Sequence, residues 1–253
     1  MNKEEQVFLN HLSDLAKVCY GREIPVYTDF LNLHEQTVFL SALPEFSHIR
    51  VHLDGGYEEA ERKVVCFLPV YMEALDREML PIVPIKISSS AGKFTEAASH
   101  RDYLGAILNL GIDRSKIGDI LVGDGYAYVL CTAPMAQFLM DSLTSVRHNP
   151  VHCEAVAFSE LDGQISFTEI TGSVASLRLD SFLALAVRMS RSAALSCVRE
   201  ERVYINGKLC TSQTYEPKVG DVISVRGAGK FIYDGVISGT KKGRQMIRLR
   251  KYN

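Results

Sequence analysis

The stretch from Arg178 to Lys208, RLDSFLALAVRMSRSAALSCVREERVYINGK, leaves its part of the chain few folds to choose from. Leu179, Phe182, Leu183 and Ala186 recur at helical spacing, and Ala193, Ala194, Cys197 and Val198 make a second such face. Met189-Ser190-Arg191 separates the two, with Ser190 suited to cap the second helix. Val203-Tyr204-Ile205 then turns extended, and Asn206-Gly207 is a tight-turn pair. Further strands are expected at Asp221–Val225 and Phe231–Ile237. Two short amphipathic helices must bury their apolar faces, and the strands that follow are the nearest surface. The expectation is a pair of helices on a small sheet, displaying Arg178, Arg188, Arg191, Arg199, Arg202 and Lys208 around a rim.

Charge is segregated onto this part of the chain. The whole sequence of 253 residues carries 28 Lys and Arg against 30 Asp and Glu. Residues 174–253 hold 15 basic and 6 acidic side chains, a net of +9, which leaves the first 173 residues at −11. Such asymmetry points to nucleic acid or an anionic surface. A membrane surface is disfavoured, because no long helix sets Lys or Arg opposite an apolar stripe. The tail Gly239–Asn253 adds Lys241, Lys242, Arg244, Arg248, Arg250 and Lys251, and its alternation suggests a last strand.

Upstream, Val7, Phe8, Leu12, Leu15 and Cys19 predict a helix over Glu4–Tyr20, with Gly21 at its end. Thr37–Leu43, Ile49–Leu53 and Lys63–Val70 read as extended. These make an α+β domain over 1–70. A second domain, 71–172, follows a β-α-β-β-α-β order like the ferredoxin or RNA-recognition arrangement: Ile85–Ser88, a helix over His100–Leu110, a hairpin of Asp119–Val122 and Tyr126–Leu130, a helix from Pro134 to Val146, and Val151–Phe158. Tyr126 and Tyr128 share a strand face, but the paired aromatic motif of an RNA-recognition module is not visible, and they read as ordinary sheet residues. Residues 173–253 form the third domain. The fold class is therefore α+β and multidomain. No run of about 18 apolar residues is present to span a bilayer, and the polar start MNKEEQVFLNHL is unlike a signal peptide; cytoplasmic residence is expected.

Catalytic signatures fail on inspection. His100-Arg101-Asp102 invites comparison with a kinase catalytic loop, yet the position five after the Asp, where an Asn is needed, holds Ile107. It reads better as a helix start, with Asp102 at the positive end of the dipole and Arg101 free to reach phosphate. No phosphate-cradling glycine loop is present. His48 and His52 lack a third metal ligand, and His148 and His152 around Pro150 fare no better. The six cysteines are scattered without a paired spacing and are expected to be reduced core residues. No enzyme activity, metal or cofactor is expected.

Residues 178–230 resemble the S-four RNA-binding domain, the alpha-L arrangement named after small-subunit ribosomal protein four. The likeness is carried by Arg178-Leu179-Asp180, Ser190-Arg191-Ser192, Val203–Lys208 and Gly220-Asp221, with Glu201 standing where many members have Gly. The whole chain is similar to the YlmH family, on HRDYLGAILNLGIDRSKIGDI (His100–Ile120) and GDVISVRGAGKF (Gly220–Phe231). That resemblance implies an RNA-binding protein acting on ribosomes, on structured ribosomal or transfer RNA, including large subunits that carry a stranded peptidyl-tRNA, and a link to cell division. It implies contacts from Arg178, Arg191, Ser192 and Lys208, then Arg188, Arg199 and Arg202, with Arg226 and Lys230 extending the surface; Arg101, Lys241, Lys242 and Arg244 are further candidates. Two alternatives stand beside this: an RNA-modifying enzyme like the pseudouridine synthases that carry the module, and an adaptor for division proteins.

Overall fold

Apolar residues at helical spacing wind the N-terminus into α1 (Lys3–Arg22), burying Leu9, Leu12, Ala16 and Cys19. Asn2 and Glu5 close a reciprocal capping box, each side chain accepting the other's backbone N–H at 2.8 and 2.9 Å. The helix passes Gly21 and stops at Glu23, which takes the left-handed conformation. The computed structural model describes residues 2–73, 75–90, 97–164, 166–239 and 243–252, and falls into two compact units, Met1–Gln164 and Ile165–Asn253.

The first unit continues with β1 (Val26–Tyr27), α2 (Leu33–Ser41), β2 (Arg50–Asp54) and β3 (Val64–Leu68), the strands ordered β1-β3-β2 and antiparallel. Thr37–Leu43, expected extended, lies mostly in α2. Its β-favouring residues are overridden by a start signal upstream, the Asn32–Glu35 capping box, and Phe39 packs into the core beneath α1. Next come β4 (Ile82–Ser89), α3 (His100–Leu108), β5 (Ile117–Val122), β6 (Tyr126–Thr132), α4 (Ala133–Ser142), β7 (Ser145–Val146) and β8 (Asn149–Ala155). The sheet order β5-β6-β4-β8-β7 puts the four long strands in the ferredoxin-like sequence second, third, first, fourth.

Period-two alternation gives this second sheet two apolar faces. Ile85, Ile87, Val129 and Cys131 face Ile107 and Leu139 of the helices. Ile82, Tyr128 and Leu130 face the other way, onto Phe30, Val64, Cys66 and Leu68 of the N-terminal part. β3 is accordingly buried along its whole length. Gly118 on β5 permits this approach, since a Cβ there would lie 2.7 Å from the Phe30 ring. Beside it the Asp119 carboxylate accepts from Tyr57 Oη (2.5 Å), Glu61 N (2.6 Å) and Arg62 N (3.1 Å). Arg62 in turn donates to the carbonyls of Ile117 (2.9 Å) and Phe30 (2.7 Å). Burial raises the Asp119 carboxyl pKa, against the lowering effect of these donors. Residue 70, expected to end a domain, lies within this unit.

The second unit comprises β9 (Phe167–Val174), α5 (Leu179–Ala186), α6 (Arg191–Arg199), β10 (Val203–Ile205), β11 (Lys208–Leu209), β12 (Val222–Val225), β13 (Gly229–Gly239) and β14 (Gln245–Tyr252). Its sheet is larger than expected: six antiparallel strands in the order β11-β10-β12-β13-β14-β9. β9 pairs along its length with β14, so the boundary expected between 172 and 173 runs through a strand of this sheet. Leu179, Phe182 and Leu183 of α5 and Ala194, Cys197 and Val198 of α6 cover one face, on Val203, Ile223, Phe231, Ile247 and Leu249. Asp221 locks the loop before β12, accepting from Asn206 Nδ2 (2.8 Å), Tyr215 Oη (2.7 Å) and Lys218 N (2.8 Å).

The Asp119 fastening yields a prediction. Asp119→Ala strands three donors and is expected to cost about 3 kcal/mol or more of unfolding free energy, whereas Tyr57→Phe removes one bond and costs about 1 kcal/mol, both measured by urea denaturation.

Candidate nucleic-acid interface

The axes of α5 and α6 bend by 112° across the break between them, and the side chains at the two helix starts meet at Asp180. Arg178 is the N-cap residue of α5, and Arg191 opens α6 after Ser190, whose Oγ accepts from Ala193 N at 3.2 Å. Asp180, buried in the first turn of α5, lies 3.4 Å from Arg178 Nε and 3.7 Å from Arg191 Nε. Arg191 also donates to Ser181 Oγ, and to Ser176 Oγ at 3.4 Å. Ser192 Oγ sits 2.9 Å from Ser190 Oγ. The fold therefore joins Arg178 and Arg191 around one carboxylate, whose single charge leaves the pair of guanidiniums net positive, while Ser192 meets Ser190 instead. Both guanidiniums keep about half of their side-chain surface in solvent, 43 % and 52 %.

The remaining basic residues do not form one rim. Arg188 and Arg199 are exposed at the far ends of α5 and α6. Arg188 takes a left-handed conformation (φ 54°) and lines a cleft of about 540 Å³ with Lys251, Thr168 and Glu169. Arg202 pairs with Glu200 at 3.3 Å and donates to the Arg226 carbonyl at 2.9 Å. Lys208 is exposed on β11 opposite Ile205. Arg226 and Lys230 fall on rings of the sheet: Arg226 lies over Tyr204 at 5.0 Å and Lys230 over Tyr252 at 5.7 Å. Arg244 donates to the Ser173 carbonyl (2.6 Å) and to Ser173 Oγ (3.1 Å), and Lys241 and Lys242 lie outside the described residues.

Arg101 belongs to the first unit, in a cleft of about 480 Å³ with Arg147, Asn109 and Ser145. Its neighbour Asp102 caps α3, accepting from Ser99 N (2.8 Å) and Ser99 Oγ (2.7 Å), and those bonds hold its carboxyl below the ordinary range. Tyr126 and Tyr128 pack edge to face at 5.4 Å under Lys86, and Tyr128 is buried against the N-terminal part. His48 packs on Tyr20, and His52 lies 3.2 Å from Asp54. All six cysteines are buried and unpaired, and burial pushes Cys66 and Cys131 up to about 12. Among the described residues no single helix is long and apolar enough to cross a membrane.

Sequence reasoning missed Asp180 as the organiser and Tyr204, Tyr252 and Phe167 as surface rings. The signal for the rings was the strand period: Phe231 and Tyr233 point to the helices, so Lys230 and Ile232 point away.

Two family models match the first unit: "YlmH, N-terminal" over residues 4–72 and "Putative RNA-binding domain in YlmH" over residues 81–160, together more than half of the chain. The chain belongs to the YlmH family. It is 29 % identical over 247 residues to "Ribosome-associated protein quality control protein P2" of Bacillus subtilis, covering 97 % of this chain and 94 % of that relative. The solved structure "Cell division protein ylmH from Streptococcus pneumoniae" is alike in fold, with 22 % identity and a TM-score of 0.54 over 63 % of this chain and 95 % of the other. Both YlmH models end before the C-terminal unit that holds the helix pair.

In this YlmH-family chain, α6 ends in a Schellman turn, with Glu201 N bonded to the Val198 carbonyl (3.2 Å) and Arg202 N to the Cys197 carbonyl (3.0 Å). Glu201 fills the left-handed position (φ 56°) that favours Gly. Glu201→Gly is expected to stabilise by about 1 kcal/mol, raising the melting temperature by about 4–8 °C if this unit melts independently; Glu201→Ala is expected to give no such gain. Thermal melts of the three proteins check it.

Proposed function

We propose that this chain is a non-catalytic, cytoplasmic RNA-binding protein that engages structured ribosomal or transfer RNA, on large ribosomal subunits that carry a stranded peptidyl-tRNA. The observation that carries the reading is the pair of half-exposed arginines, Arg178 and Arg191, oriented by buried Asp180 at the converging starts of two helices. Guanidiniums present fixed forks of donors that match phosphate oxygens in pairs. Hydroxyls of Ser176 and Ser181 stand beside Arg191, and the unit's surplus of positive charge supplies attraction to any folded RNA.

The S-four-like reading of this unit gains support from the same arrangement, two helices against a sheet with Arg178 and Arg191 at their starts. The Bacillus subtilis relative, aligned over nearly its whole length, is named for ribosome-associated quality control, which supports a ribosomal target. The absence of catalysis is supported by how the buried carboxylates are used. Asp119 and Asp221 are each engaged by three donors from their own unit, and Asp180 by two arginines.

Binding of the 253-residue chain to purified large subunits is expected to weaken steeply with salt, with a log–log slope of about −3 for roughly four phosphate contacts. Arg191→Glu combined with Lys208→Glu is expected to lower affinity at least tenfold and flatten that slope. Filter binding across a potassium chloride series reads both, and an affinity indifferent to the double reversal removes this surface. Mass spectrometry of RNA incubated with the protein tests the non-catalytic part; a site-specific modification overturns it.

A further inference from the structure

The face of the C-terminal sheet turned away from α5 and α6 carries a continuous row of side chains. Tyr204 on β10 stands opposite Ser224 on β12, and Ser224 opposite Lys230 on β13. The Lys230 ammonium lies 5.7 Å from the centre of the Tyr252 ring on β14. Tyr252 pairs in turn with Phe167 on β9, their ring centres 4.9 Å apart. Ring, hydroxyl, cation, ring and ring thus follow one another across five strands, roughly 19 Å at ordinary strand spacing.

Cations accompany the rings. Arg226 lies over Tyr204 at 5.0 Å and Arg250 over Phe167 at 4.7 Å. Among the described residues, Asp234, bonded to Arg250 (2.9 Å), and Glu169, beside Arg248 (3.8 Å), share the face with the four cations Arg226, Lys230, Arg248 and Arg250. Core packing does not account for the rings, because the intervening residues Val203, Phe231 and Leu249 are the ones that meet the helices. Tyr204, Tyr252 and Phe167 remain half-buried on the opposite side.

Planar apolar faces set among cations with a positive balance fit one chemistry well. Unpaired nucleobases stack on aromatic rings with little regard to sequence, while the strand's phosphates meet Arg and Lys. A duplex hides its base faces and has no use for the rings. We propose that this sheet face is a second RNA surface, which takes two or three unpaired nucleotides of a strand adjoining the structured element held by the helix pair. It rests on the RNA-binding reading above and adds the class of ligand: single-stranded RNA read through its bases.

The full-length protein is titrated by fluorescence anisotropy with a labelled short oligoadenylate and, separately, with a blunt RNA duplex of equal length. Tyr204→Ala with Tyr252→Ala is expected to weaken single-strand binding at least about tenfold and to leave duplex binding unchanged. Tyr204→Phe with Tyr252→Phe keeps the rings and is expected to keep the affinity. Arg178→Glu with Arg191→Glu is expected to spare the oligoadenylate more than the duplex. Photocrosslinking of the unaltered protein to a strand bearing 4-thiouridine, mapped by mass spectrometry, is expected at Tyr204, Tyr252 or Phe167 and answers the question even if the alanine pair folds poorly. Single-strand affinity that survives loss of the rings, a phenylalanine pair as weak as the alanine pair, or crosslinks confined to the helix face would each overturn the proposal. Duplex binding without single-strand binding defeats this proposal alone; binding of neither defeats the RNA reading with it.

Discussion

An antiparallel sheet has two faces, and each must meet either a core or solvent; the two units of this chain resolve that constraint in opposite ways. In the first unit, α3 and α4 cover one face of the ferredoxin-like sheet, and the N-terminal sheet closes on the other through Phe30, Val64, Cys66 and Leu68. Both faces are consumed, and Tyr128, which on an open sheet would be a stacking ring, is a core residue. In the second unit, taken by itself and among the described residues, α5 and α6 cover one face. The uncovered side keeps rings and cations in place of an apolar layer. Where recognition can occur is thereby set by what each sheet has left to offer.

Buried carboxylates do the fastening in both units. An unpaired buried charge costs several kcal/mol, so such a group persists only where donors converge on it. Asp119 draws the 57–62 segment onto β5, and Asp221 ties the Asn206 turn to the loop before β12. Asp180 differs because its partners are cations that also face solvent. It costs the surface one positive charge and holds two guanidiniums close by charge, with Arg191 further oriented by the Ser176 and Ser181 hydroxyls. An acidic residue of a unit with net positive charge is therefore part of how its basic surface is built.

Much of this was legible in the sequence where one local signal acted alone. The break at Met189-Ser190, the Asn206-Gly207 turn and the β-α-β-β-α-β succession follow from period and turn chemistry, which are local. The misreadings arose where a distant partner decided. Thr37–Leu43 has strand-like composition, yet a cap at Asn32 and burial of Phe39 under α1 make it helical. Phe167–Val174 straddles the boundary expected between 172 and 173, yet it belongs wholly to the C-terminal sheet because it pairs with β14, more than seventy residues on. Where the extension through Arg226 and Lys230 falls depends on the same kind of distant pairing. Arg226 and Lys230 share a charge with Arg178 but not a face, and only strand register reveals it.

The geometry also sorts the arginines by what each can contribute to an RNA complex. Arg178 and Arg191 are already held near Asp180, so binding costs them little of the roughly 0.5–1.5 kcal/mol that immobilising a long side chain takes. Such preorganised groups act on how long a complex lasts, because their bonds form without reordering. Arg199 and Lys208 project into solvent at the end of α6 and on β11, where the proposed function would use them through the long-range field and hence the rate of encounter. On the proposed RNA-binding reading, residues of one charge on one small unit divide between steering and holding, according to whether or not they lie beside Asp180.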